Sequence, residues 1–266
     1  MLFRSDSSDP HLTAEHLTRY FALDHDLDQI LASLDHDDEH LHAAIVAYRG
    51  LRLIRQEPWE CTASYLLTSF NNIQRITHII ENLCQQFGQP IVDGGMRAYT
   101  FPRPEILADV SVGRLGLLGL GFRAAYLAAV ARRFADRSFR PDELRDAPYA
   151  VVKQCLTELP GIGDKVADCI ALFAFQRYEA FPIDVWVRRA LARYLPPQQL
   201  TLKRMHAFAA ARFGAYAGYA QQYLYHALRH DAEQARYQPT LASLRRFSRL
   251  LLHPDDAATP VHFTGA

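Results

Sequence analysis

The segment Leu159-Pro160-Gly161-Ile162-Gly163-Asp164-Lys165-Val166-Ala167-Asp168-Cys169 constrains this chain more than any other. Before it, Tyr149, Val152, Leu156 and Leu159 recur at helical spacing; after it, Val166, Cys169, Ile170, Phe173 and Ala174 do the same. Pro160 ends the first helix, and Gly161 with Gly163 permits a tight turn whose N–H groups no side chain covers. The second helix then opens with free N–H groups at the positive end of its dipole. Such a helix start holds a phosphate. An ordinary helix–turn–helix connection carries the same turn, so the segment by itself leaves both readings open. Lys165 on the first turn of the new helix, and Pro182-Ile183-Asp184-Val185 soon after that helix, shift the balance toward a site.

The remaining pattern is almost wholly helical. Residues 1–10 are polar and aperiodic, which predicts a disordered start. Leu17, Tyr20 and Phe21 open the first helical pattern, and Asp24 is a candidate cap for a helix through Leu27, Ile30 and Leu31. A helix from His40 to Tyr48 is stopped by Gly50, and Pro58-Trp59-Glu60 starts the next. Asn71 to Phe87 reads as one helix ended by Gly88, and 89–104 as a loop that can hold a short strand pair. Helices follow over 124–134, 185–194, 202–213 and 217–229, with a further amphipathic one over 241–252. The fold class is therefore all-α, in two helical lobes.

Composition narrows the function only locally. With 266 residues and 49% hydrophobic content, the chain can bury a full core. Lys+Arg and Asp+Glu both number 29, so any nucleic-acid footprint must be a patch. Arg132, Arg133, Arg137 and Arg140 cluster, as do Arg188, Arg189 and Arg193, though a solvated helix face explains any one of them. Cysteines stand at 61, 84, 155 and 169, with no CxxC pair, which argues against a zinc ribbon or iron–sulfur cluster. No signal peptide or membrane-length apolar run is visible.

The hairpin with Lys165 and Asp184, together with Leu51-Arg52-Leu53-Ile54-Arg55-Gln56, Asn71-Asn72-Ile73-Gln74-Arg75-Ile76, Gly121-Phe122-Arg123-Ala124 and Tyr216-Ala217-Gly218-Tyr219-Ala220-Gln221, resembles the helix-hairpin-helix, Gly/Pro-Asp DNA glycosylases, and within them the 8-oxoguanine DNA glycosylases. The resemblance runs from about Leu17 to Arg229. It implies a hairpin-bearing lobe over 58–180 and a second lobe from 12–57 with 181–230, leaving 231–266 as an extension with one helix. It places the hairpin at a DNA-binding cleft.

The resemblance makes Lys165 the nucleophile that displaces the damaged base and forms a Schiff base, the alternative being a surface lysine on a phosphate. A helix N-terminus and an apolar cleft wall would both disfavour its ammonium form. Asp184 would stabilise the sugar cation, and also suits a helix N-cap. Cys169, four residues after Lys165 and so on the same helix face, would pack against the extruded base; the alternative is a plain core cysteine. Gln221 and Tyr225 would hold the base edge and ring. Gly161 and Gly163 would present amides to phosphate. Asn71, Asn72, Arg75, Phe122 and Arg123 would face the duplex, the two arginines reading the estranged cytosine and Phe122 acting as a wedge.

Some positions depart from the family pattern. Phe70 stands where an asparagine fills the gap left by the flipped base, and Trp186 where a histidine contacts a phosphate. These departures predict a looser opposite-base preference. The family's amino-terminal β domain is largely missing, so weaker lesion discrimination is expected as well.

The reading is thus a bifunctional glycosylase and abasic-site lyase for oxidised purine. An alkylated-base glycosylase using Asp184 alone is the first alternative, and a non-catalytic DNA clamp the second. The expected partner is double-stranded DNA with a damaged base, engaged by a monomer with no membrane contact. The expected setting is intracellular: nucleoid or cytoplasm in a bacterium, nucleus in a eukaryote. No cofactor is expected, although a monovalent cation at the hairpin is compatible with the turn.

Overall fold

The structure is a computed structural model and describes residues 10–34, 38–93 and 95–237. The expected disordered start and the helix over 241–252 lie outside the described residues. Helices follow one another as α1 (Pro10–Tyr20), α2 (Leu27–Ser33), α3 (Glu39–Ala47), α4 (Pro58–Leu66) and α5 (Ile73–Phe87). A hairpin of β1 (Pro90–Asp93) and β2 (Met96–Tyr99) comes next, antiparallel, with Pro90 opposite Tyr99. Then come α6 (Pro104–Ala108), α7 (Val112–Leu115), α8 (Arg123–Ala135), α9 (Tyr149–Thr157), α10 (Asp164–Phe173), α11 (Val185–Leu191), α12 (Leu202–Phe213) and α13 (Ala217–Tyr237). The all-α expectation holds, with the short strand pair where the loop allowed one.

Side-chain caps set most helix starts. Asp38 accepts from the amides of His40 and Leu41, Asn72 from Arg75, and Thr201 from Arg204. Two sequence expectations shift as a result. Asp26, not Asp24, caps α2 by accepting from Gln29, while Asp24 pairs with Arg55 at 2.8 Å. The helix expected from Asn71 starts at Ile73, because Asn72 is spent as its cap. At the other end α13 continues past Arg229 to Tyr237.

One continuous set of buried apolar residues joins the helices. Around Trp59, whose indole N–H donates to the Pro102 carbonyl at 2.8 Å, α4, α6 and α8 pack together and α10 packs on α4. Helices α3, α11 and α12 pack on α13, whose Tyr219 and Tyr223 are fully buried. Gly218 lets the start of α13 settle on the end of α10. Its N–H donates to the Tyr178 carbonyl at 2.7 Å, and any Cβ there would overlap the Leu172 side chain. His25 ties the first segment to the same corner, bonded to the hydroxyls of Tyr178 (3.2 Å) and Tyr219 (3.1 Å).

A space of about 1130 Å³ opens between α1, Pro58, 141–146 and 174–178, and is lined by none of the expected site residues. No described helix is long and apolar enough to cross a membrane.

Candidate active site

The hairpin forms as its glycines require. Gly161 sits at φ +81°, and the Tyr126 ring lies where a Cβ would stand, 2.7 Å from its Cγ. Ile162 is buried beneath the turn, and Gly163 begins α10 with no side-chain cap. The α10 start is therefore open toward solvent, as an anion site needs.

A buried polar network holds α10 from behind. Asp168 is fully buried; the Tyr149 hydroxyl donates to it at 2.6 Å and Lys153 Nζ stands 2.9 Å away. His206 from α12 approaches at 3.7 Å. Burial pushes the Asp168 carboxyl up, against the opposing pull of Tyr149, Lys153 and His206. It also pushes the Tyr149 phenol up, together with the neighbouring Asp168 charge. A carboxylate this deep is tolerable only with such partners. The network fastens α10 to α9 and α12.

On the front of α10, Lys165 is half-buried. Its Nζ lies 3.5 Å from Thr68 Oγ1 and 5.9 Å from the centre of the Tyr65 ring. Tyr65 stacks on Phe173 at 5.8 Å. Cys169 is buried one turn on, its thiol pushed up to about 12 by burial, partly offset by Lys165, while Asp184 also acts on it. The thiol is therefore held protonated, as a neutral polarisable group beside the amine. Burial likewise holds the Tyr65 phenol well above its ordinary range, with Cys169, Cys61 and Tyr225 as its electrostatic neighbours. Lys165, Cys169, Tyr65, Thr68, Tyr225 and Asp184 thus gather from three helices and two loops.

Asp184 follows the buried run Phe181-Pro182-Ile183 and caps α11, accepting from the Val187 amide at 2.8 Å. One carboxylate oxygen is committed to that cap. Tyr225 is half-buried and accepts from Arg229 at 3.1 Å. Gln221 is buried, its carbonyl accepting from Gln222 at 2.6 Å.

The residues expected to face DNA divide into two sets. Phe122 is well exposed, and Arg75 is exposed with a long contact of 3.4 Å to the Gly119 carbonyl. Asn72 is used as a cap, and the Asn71 amide donates to the Leu67 carbonyl at 3.1 Å. Arg123, expected at the duplex, is turned inward and only 4% exposed. Its guanidinium donates to the carbonyls of Ser69, Phe70 (2.9 Å) and Leu120 (3.3 Å). Backbone acceptors of two turns converge there and capture the planar donor fork.

Tyr65, Thr68, Tyr126 and the Asp168 network were not singled out from the sequence. Thr68 meets Lys165 across 97 positions, a separation for which no local pattern exists. Asp168 alone carried a signal, being a charged residue on the apolar face of a helix between Ala167 and Cys169.

Comparison with known proteins adds the family. Residues 3–62 match the family model described as 8-oxoguanine DNA glycosylase, N-terminal domain, and residues 63–213 match that of the HhH-GPD superfamily base excision DNA repair proteins. The described residues of the first match form helices joined by turns and loops, with no strand. A Methanothermobacter thermautotrophicus protein named as a probable N-glycosylase/DNA lyase is 32% identical over 79% of this chain and 73% of its own. The Saccharomyces cerevisiae N-glycosylase/DNA lyase is 30% identical over 79% of this chain and 65% of its own. The Clostridium acetobutylicum 8-oxoguanine glycosylase/lyase, solved with DNA carrying cytosine opposite 8-oxoguanine, superposes with a TM-score of 0.80 at 29% identity, over 84% of this chain and 77% of that one. An Archaeoglobus fulgidus 3-methyladenine glycosylase shares the fold, at TM-score 0.71 and 21% identity over 85% of this chain and 77% of that one. An open hairpin, an amine beside a protonated thiol and an aspartate at the next helix start accord with these matches, and the chain belongs to the 8-oxoguanine DNA glycosylase family of the helix-hairpin-helix, Gly/Pro-Asp superfamily of base-excision DNA repair proteins.

Proposed function

We propose that this protein is a DNA N-glycosylase and abasic-site lyase that removes 8-oxoguanine from double-stranded DNA. The observation that carries the reading is the placement of Lys165. Its amine stands on the first turn behind the hairpin, against Thr68 and Tyr65 and one turn from a buried Cys169. Phosphate bound at the α10 start would bring a sugar C1′ toward that amine.

In the proposed reaction the neutral amine attacks C1′ as the C1′–N9 bond breaks, and the electron pair leaves with the base, which takes up a proton. Asp184 lies near enough to act on the Cys169 thiol, and its negative charge stabilises the cationic sugar in the transition state. The resulting aminal opens to an imine between Lys165 and C1′, and elimination at the 3′ phosphate follows. Tyr225 and Gln221 are assigned to the ring and edge of the extruded base, and Cys169 to its face beside the amine. DNA-bound relatives of the same fold support DNA as partner, engaged here by a monomer with no cofactor.

Borohydride reduction of the imine tests this reading. Wild-type protein should give a covalent adduct with an 8-oxoguanine:cytosine duplex and little with undamaged or alkylated duplexes. Rapid base release from alkylated DNA without trapping would replace the proposal by the water-using mechanism, and binding with no release by a clamp.

A further inference from the structure

Thr68 lies just past the end of α4, half-buried, with its hydroxyl proton already spent. Its backbone N–H (3.0 Å) and its Oγ1–H (2.7 Å) both donate to the Tyr65 carbonyl. A hydroxyl has one proton, so Oγ1 has only lone pairs left to offer. Lys165 Nζ, 3.5 Å away, can therefore donate to it but cannot accept from it. The oxygen is also held in place. The Tyr65 ring stacks on Phe173 of α10, 13° from parallel. Beyond Thr68 the turn is tied by Asn71 to the Leu67 carbonyl and by Arg123 to the Ser69 carbonyl. The helix that carries the amine and the hydroxyl that meets it thus belong to one packed unit.

We propose that Thr68 is a positioning residue for the nucleophile: its acceptor-only hydroxyl holds one N–H of the Lys165 amine and so turns the nitrogen lone pair toward the cleft. The inference rests on the glycosylase and lyase reading above. A neutral amine carries two hydrogens and one lone pair on a tetrahedral nitrogen. A partner able to donate would occupy the lone pair and block attack, and Thr68 is no such partner. With one N–H on Oγ1, the lone pair points away from Thr68. The Tyr65 ring, its centre 5.9 Å from Nζ, and the buried Cys169 flank the amine on other sides. The lysine stem is flexible, so holding its head group gains orientation rather than affinity for DNA. The bond is long in the free protein, as such contacts are before substrate closes a site.

The test compares Thr68→Val, Thr68→Ala and Thr68→Ser with wild type on a duplex with 8-oxoguanine opposite cytosine and on one with a preformed abasic site. Valine keeps the shape and loses the acceptor, alanine loses it with no methyl in its place, and serine keeps it. In all three the Tyr65 carbonyl retains the backbone N–H of position 68, so the turn does not depend on the hydroxyl. On the abasic duplex the amine adds to the C1′ aldehyde, water leaves, and borohydride delivers hydride to the imine carbon. Trapping there reads the amine without any base release. Thr68→Val and Thr68→Ala should each slow single-turnover excision and abasic-site trapping alike, by ~10- to 100-fold, while duplex affinity and melting temperature stay close to wild type. Thr68→Ser should recover most of both rates.

Rates within about twofold of wild type in Thr68→Val and Thr68→Ala overturn the positioning role. A loss that serine does not recover also overturns it, as does one matched by weaker binding or a lower melting temperature, since either leaves Thr68 a part of the turn alone. Wild-type protein that traps the abasic duplex yet releases no 8-oxoguanine counts against the glycosylase reading only, and Thr68 is then judged on the abasic duplex. Wild-type protein that traps neither overturns both.

Discussion

Asp184 is assigned two jobs on one carboxylate, and substitution can separate them. It caps α11 through Val187 and contributes negative charge beside Cys169. Asparagine caps as well as aspartate, whereas alanine forfeits about 1 kcal/mol at an N-cap. Asp184→Asn should therefore keep the melting temperature while slowing excision by on the order of a hundredfold. Asp184→Ala should lose both, as thermal unfolding and single-turnover rates would show. Equal rates for Asp184→Asn and wild type would leave the cap as its whole function. The sequence reading anticipated the cap because an N-cap is a local signal, and took the charge role from the family resemblance alone. It placed Lys165 and Cys169 on one face for the same reason. Tyr65 and Thr68 escaped it because they meet the lysine only through the packing of α4 on α10. Arg123 was expected at the duplex because the family resemblance put it there; the Ser69 and Phe70 carbonyls that draw it in belong to a turn 54 and 53 residues away in sequence.

Among elements the hairpin is the part most strictly specified. Gly161 combines a positive φ with contact against Tyr126, so Gly161→Ala meets backbone strain and a steric overlap together. A cost of roughly 1–3 kcal/mol is expected, with DNA affinity falling because the amides of the α10 start are displaced. Denaturant midpoints and a binding isotherm check both. Unchanged affinity in a folded variant would take the hairpin out of DNA contact. Proline, glycine and helical periodicity made this element readable in advance, although α9 ends at Thr157, short of the Pro160 stop. The Asp168 network behind it was not, since it needs three helices to converge on one carboxylate. The start of α2 was misplaced by two residues because Asp24 and Asp26 are equally good caps locally, and only the Arg55 pairing distinguishes them.

At the scale of the molecule, two histidines join distant segments and set a pH response. Burial lowers His25, with Arg55 and Arg52 adding to the effect and Asp24 opposing it. Burial also lowers His206, against the pull of Asp168 and with the push of Lys153. Both are below the ordinary value of 6.5 in the fold and regain it on unfolding. The unfolded chain then binds more protons, so their contribution is present above about pH 6.5 and is lost as pH falls toward their folded values. Asp168 acts with the opposite sign at lower pH, because its raised value favours the protonated fold. The melting temperature should therefore drop between about pH 7.5 and 5.5, and His25→Gln with His206→Gln should flatten that slope. A wild-type profile already flat would show that neither ring is held neutral by the fold.

The account turns on the amine of Lys165, and mapping the reduced adduct tests it most directly. After borohydride treatment with an 8-oxoguanine:cytosine duplex, digestion should place the nucleotide remnant on the peptide carrying Lys165. Lys165→Gln should give no adduct while still binding the duplex through the hairpin. An adduct on any other residue, or one that persists in Lys165→Gln, would contradict the assignment.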